Sequence, residues 1–203
     1  PGYRFDKADV IVSFGADFLG TWVSPIEFAR QYADGRRIET VKGAKMSRHY
    51  QVESGMTLTG SNADHRILVK PSEQGAAIAA LYNELGGNLG GAPKLNEKAA
   101  AAIKKVAAEL NAAKGKSLVV SGSNNVAEQI LVGKINAMLT NINATVNISA
   151  ANLTRKGDES ELQSLLGEMS SGKIGAVIVW GANPASKAGI SRRQRNLANR
   201  CRK

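Results

Sequence analysis

Cysteine is almost missing from this sequence: Cys201 is alone among 203 residues, and only His49 and His65 accompany it as soft metal ligands. One thiol makes no internal disulfide, and one cysteine with two distant histidines builds neither a zinc site nor an iron–sulfur site. No Gly-x-Ser-x-Gly elbow and no His-Glu-x-x-His occurs, which argues against a self-contained hydrolase or metalloenzyme. Aromatic residues are scarce at 5%. No apolar run approaches the ~18–20 residues of a membrane span, so no direct span is expected. A charged-then-apolar leader is also missing, and the chain opens at Pro1 without methionine, as expected of a piece of a longer protein.

What is present is an ordinary globular balance, 43% hydrophobic and 22% charged, with a net charge of +10. That charge is uneven. Lys187–Lys203 carries seven basic residues and no acid; without them the remaining 20 basic residues face 17 acidic ones. The basicity therefore belongs to a tail over residues 186–203. Lacking interleaved aromatics, it reads as a solvated, disordered end rather than a nucleic-acid site. Only Ile190 and Leu197 could anchor Gly189–Lys203.

Apolar β-branched runs predict strands at Ala8–Phe14, Arg37–Val41, Arg66–Val69, Ser117–Ser121, Thr145–Ile148 and Ile174–Trp180. Helices are expected from Ser24-Pro25 to Gly35, from Ser72 to Leu85, and over Asn96–Lys114, Asn125–Leu139 and Glu159–Ser170, with Ser24 and Ser72 as caps. Residues 44–63 are polar and aperiodic, expected to form a short strand and a long ordered loop. Within and just beyond that loop, His49, Tyr50, Glu53, Asn62, Asp64 and His65 suggest a cluster, but no nucleophile–base spacing emerges, and self-bonded loop polarity is preferred. Alternation of strand and helix predicts an α/β fold, parallel sheets covered by helices. Gly86–Pro93, with four glycines and a proline in eight residues, reads as a linker between a unit at 1–88 and a second at 94–185.

Three apolar strands run into glycine turns: Phe14-Gly15-Ala16-Asp17, Ser121-Gly122-Ser123-Asn124 and Trp180-Gly181-Ala182-Asn183. Beyond the carboxyl ends of parallel strands such glycines let backbone approach a phosphate or base. The plainer reading is a strand-to-helix turn with Asp or Asn capping the next helix. Gly115-Lys116-Ser117 is no phosphate loop, because Leu110 stands where the first glycine belongs.

Ala8–Arg30 (ADVIVSFGADFLGTWVSPIEFAR) and Met46–Arg66 (MSRHYQVESGMTLTGSNADHR) resemble the large iron–sulfur subunit of bacterial alternative complex III. Val177–Ala185 (VIVWGANPA), Arg66–Pro71 and the helix holding Ala76–Leu81 are similar to segments of molybdopterin oxidoreductases. The resemblance covers about residues 1–185. It implies two Rossmann-like units and a non-catalytic scaffold within a membrane-associated quinol oxidoreductase, at the periplasmic face of the bacterial inner membrane, partnered by the other subunits of that respiratory complex. No cofactor is implied for this stretch; the iron–sulfur clusters belong to a C-terminal part beyond it. The alternative is a fragment of an active enzyme binding a molybdopterin dinucleotide, with Gly15, Asp17, Gly122, Gly181 and Asn183 as contacts. Asp17 stands where cofactor-binding relatives often have Asn, and a carboxylate facing a pyrophosphate is repulsive.

Overall fold

The computed structural model describes residues 1–38, 40–91, 95–149 and 159–180. The first run, β1 (Gly2–Tyr3), leads through a 3-10 turn at Phe5–Lys7 into β2 (Val10–Phe14), all five of whose residues are buried. Then come α1 (Pro25–Asp34), β3 (Arg48–Glu53), α2 (Leu58–Ser61), β4 (His65–Leu68) and α3 (Gln74–Glu84). The remaining elements are α4 (Glu97–Ala112), β5 (Ser117–Ser121), α5 (Val126–Met138), β6 (Val146–Asn147) and α6 (Glu159–Ser170).

β2–β5 form a parallel sheet in the order β4-β3-β2-β5, with Val10 opposite both Arg48 and Ser117. The chain is thus α/β, a four-stranded parallel sheet flanked by helices. Strand alternation sends Val10, Val12, Phe14, Tyr50, Val52 and Ile67 to one face, where they pack on α3, α4 and α5. The other face sends Ile11, Leu118 and Val120 onto α1 and the aromatic residues Phe5, Phe18, Phe28 and Tyr32. Phe5 and Phe18 stack at 4.3 Å between ring centres. Although aromatics are few, they are concentrated here.

Pro1–Leu153 is one compact unit and Thr154–Lys203 a second. The boundary expected at 86–93 falls inside the first. β5, from beyond the glycine stretch, pairs with β2 from before it, and α3 packs on α4. Glycines there let the chain reverse between two helices of one layer, with Gly86 and Gly91 at positive φ.

Several local expectations are corrected. Arg37–Val41 is not a strand in its described residues, and Ile38 and Val41 are exposed. The second strand is instead Arg48–Glu53, whose polar side chains find buried partners. Thr145–Ile148 shortens to β6, which pairs antiparallel with β1 outside the main sheet. Ile174–Trp180 has no ladder among the described residues, and Ile178 and Trp180 are more than 90% exposed. An apolar run signals a wish for burial; it does not supply the neighbouring strand. Ser24 precedes α1 without a side-chain cap. Ser72 lies within a 3-10 turn, Pro71–Glu73, where the Glu73 carboxylate accepts from the Lys70 amide. By contrast Asn96 and Asn125 do cap α4 and α5, accepting from Ala99 and Ala127. The basic tail, Gly181 and Asn183 lie outside the described residues. No helix among the described residues is long and apolar enough to cross a membrane.

Candidate functional site

In an open parallel sheet the crevice for a ligand lies where connections leave adjacent strands toward opposite faces. Here that point is between β2 and β5, each followed by a glycine. The structure therefore brings together Gly15, Asp17 and Gly122. Gly15 has φ +61° and is solvent-exposed, yet its amide donates to the Val52 carbonyl at 2.8 Å. The Gly122 amide donates to the Phe14 carbonyl at 2.9 Å. Both amides continue the sheet and are spent. A methyl group on Gly122 would fall 2.5 Å from the Gly15 carbonyl oxygen and 3.0 Å from the Ala16 Cα. The glycine thus serves an approach of backbone to backbone. Over Gly15 sits the Gln74 amide, 2.6 Å from where a Cβ would stand.

Asp17 turns away from that crevice. Its Oδ1 accepts from the Thr59 amide at 3.0 Å and the Thr59 hydroxyl at 2.8 Å, and Oδ2 accepts from Thr21 at 3.3 Å. Its carbonyl accepts from Gly20, Thr21 and Trp22. Asp17 therefore folds the turn after β2 and clamps it to α2. Glu128, in the first turn of α5, brings a second carboxylate near the start of α3, 2.9 Å from a Cβ built on Gly75.

The second grouping lies on the α1 face of β3. His49, Gln51 and Glu53 are buried and follow one another along one side of the strand. His49 Nδ1 lies 3.2 Å from the Tyr32 hydroxyl and Nε2 3.3 Å from Gln51 Oε1. Gln51 donates to Glu53 at 3.3 Å, Thr57 donates to it at 2.8 Å, and Arg66 pairs with it at 2.5 Å. At the other end the His49 amide donates to Asp64, which forms a two-pronged pair with Arg36 at 2.7 Å. The Arg36 guanidinium holds the Asp64 carboxyl at about 2, and burial pushes Tyr32 up to about 12. Burial also lowers His49 to about 4, leaving it neutral at pH 7. A buried neutral histidine that ties Tyr32 of α1 to Gln51 of β3 has a structural part here.

Of the loop candidates, His49, Glu53 and Asp64 thus come together, and Asn62 joins through its carbonyl, which lies 3.0 Å from the Tyr32 hydroxyl. Tyr50 and His65 do not; they stack on each other at 4.8 Å, with Tyr50 on the face covered by α4. Nothing local in the sequence marks Tyr32, Arg36, Thr59 or Gln74 as members of these groupings. The alternation in Arg48-His-Tyr-Gln-Val-Glu53 is the one signal that could have found Gln51. Phe18 and Trp22 pack the turn onto the aromatic face, Trp22 lying 5.7 Å from Phe28.

A cavity of about 440 Å³ lies elsewhere, beyond the end of α1, lined by Asp34, Arg37, Thr40 and Lys45. Lys45 is paired with Asp9 at 2.7 Å. Among the described residues no group of three or more His, Cys, Asp or Glu side chains is arranged to hold a metal. No family model matches the chain, and no curated protein matches it.

Proposed function

We propose that this chain is a non-catalytic scaffold piece of an electron-transfer subunit in a membrane-associated quinol oxidoreductase, with a molybdopterin-oxidoreductase fold that holds no pterin at its first sheet mouth. The resemblance of Ala8–Arg30 and Met46–Arg66 to the large iron–sulfur subunit of alternative complex III motivates the assignment. The strand order, counted over the parallel strands as third, second, first and fourth, supports a Rossmann-like unit.

The observation that carries the cofactor-free reading is the contact between Gly122 and the Gly15 backbone. A dinucleotide pyrophosphate needs amides that point outward. Here the two glycine amides are bonded within the sheet, and the Asp17 side chain is held away from them by Thr59 and Thr21. These residues do not fit an anionic cofactor. In this reading the iron–sulfur clusters sit in a C-terminal part beyond this chain, the partners are the remaining subunits of the complex, and the site of assembly is the periplasmic face of the inner membrane.

The alternative, a fragment that binds a pterin dinucleotide through Gly15, Gly181 and Asn183, draws on the solvent exposure of Gly15 at the point where the strand order reverses. The two readings separate on purification. Tagged full chain, produced in a bacterium that makes the complex, should co-purify with the complex's iron–sulfur and membrane subunits. An acid extract of the isolated chain should contain no stoichiometric pterin. A stoichiometric pterin would replace the scaffold reading with the alternative, and failure to co-purify would remove the assignment to the complex.

A further inference from the structure

The buried row on β3 contains one hydrogen too few for the contacts it makes. The Tyr32 hydroxyl lies 3.0 Å from the Asn62 carbonyl, to which it alone can donate, and 3.2 Å from His49 Nδ1. With its single hydrogen on Asn62, Tyr32 requires a proton on Nδ1. At the far side of the ring, Gln51 is oriented by Glu53. The Glu53 oxygens take Thr57 and Arg66 as donors, and the Gln51 nitrogen points toward them as a third. This turns Gln51 Oε1 toward His49 Nε2, which then also requires a proton. A neutral imidazole carries one N–H and cannot meet both demands.

The bond surrendered is the one that water can replace. Gln51 is fully buried, and its oxygen would be orphaned away from water. Asn62 is exposed at the end of α2. We propose that His49 is a proton latch: neutral, it gives Nε2–H to Gln51 and takes the Tyr32 hydrogen at Nδ1, whereas a second proton on the ring turns Tyr32 onto the Asn62 carbonyl. The added proton comes from solvent and binds Nδ1. The Tyr32 hydrogen only rotates, so no other group changes charge.

Among the described residues, the charged groups around the ring are Arg36, Asp64 and Glu53. From α1 come Tyr32 and, following the helix, Arg36, which is neutralised by Asp64. Asp64 also takes the His49 amide. Along β3 lies Glu53, reached through Gln51, with Arg66 of β4 behind it. The turn after β2 contributes the uncharged Phe18 ring at 5.2 Å. Burial opposes the second proton and sets the change on the acid side of neutrality. The latch thereby connects α1 to the 57–64 segment, which also clamps Asp17.

The test is nitrogen NMR of the isotopically labelled full chain, with His65→Gln to assign the two rings. At pH 7 the His49 ring should show Nε2 protonated and Nδ1 bare. On acidification Nδ1 should gain its proton at the same midpoint at which the Ala63 amide, in the peptide unit of the Asn62 carbonyl, shifts. In Tyr32→Phe the ring should keep Nε2–H while the Ala63 shift disappears. In Gln51→Leu the ring should change to Nδ1–H. An Nδ1–H ring in the unaltered chain at pH 7 would overturn the latch. So would ring titration without the matching Ala63 shift, persistence of that shift in Tyr32→Phe, or an unmoved tautomer in folded Gln51→Leu. Should Gln51→Leu fail to fold, the unaltered chain and Tyr32→Phe decide the matter alone.

Discussion

Gly122 and His49 show how differently single residues can be read. The glycine is visible in the sequence as a strand-end turn, but its reason, the Gly15 backbone against it, belongs to a residue more than a hundred positions earlier. Gly122→Ala should cost about 1–3 kcal/mol of overpacking, because the atom it meets is backbone that cannot rotate away. The urea midpoint measures this, and an unchanged midpoint would mean that the two loops do not touch. His49 is visible in the sequence only as a polar loop residue. Its depressed folded pKa, about 4 against an ordinary 6.5, means that the unfolded chain binds the proton first. Its contribution is fully present above pH 6.5 and is lost as the pH falls toward 4, a loss of about 3 kcal/mol at most. Denaturation across that window should show the slope, and His49→Gln should remove most of it.

At the scale of elements, β2, β5, α4 and α5 are legible because their signals are local: unbroken β-branched runs, apolar helical spacing, and asparagine caps that the structure uses. β3 blurs into a loop because its inner face is polar. Only the partners Tyr32, Thr57 and Arg66, from three other segments, make His49, Gln51 and Glu53 acceptable in a sheet. β5 conceals another distant device. Among the described residues it is an edge of the parallel sheet, and α5 closes that edge with one side chain: Asn136 accepts from the Val119 amide at 3.1 Å and donates to its carbonyl at 2.7 Å. Thr145 and Gln129 take the Ser117 and Ser121 carbonyls. Side chains thus imitate a further strand and blunt the edge against pairing. Asn136→Leu should cost about 2–3 kcal/mol through unpaired buried groups. It should also raise self-association in sedimentation; an unchanged sedimentation profile would show that the edge is protected by something other than Asn136.

For the whole molecule, alternation of strand and helix conveys the fold class, and the glycine stretch misleads about its partition. A linker and a tight helix–helix connection have the same composition; only the pairing of β5 with β2 distinguishes them. Both hydrophobic clusters lie within Pro1–Leu153. A chain ending at Leu153 should therefore fold cooperatively, with a single urea transition, and a broad or missing transition would show that the core needs residues beyond it. In the proposed scaffold reading, the sheet mouth beside Gly15 and Gly122 accepts no nucleotide-like anion. This is tested most directly by adding guanosine diphosphate to the labelled full chain up to about millimolar concentration, the weak end of specific affinity. The Gly15 and Gly122 amide signals should stay in place; saturable shifts confined to those two amides and their neighbours would overturn that reading.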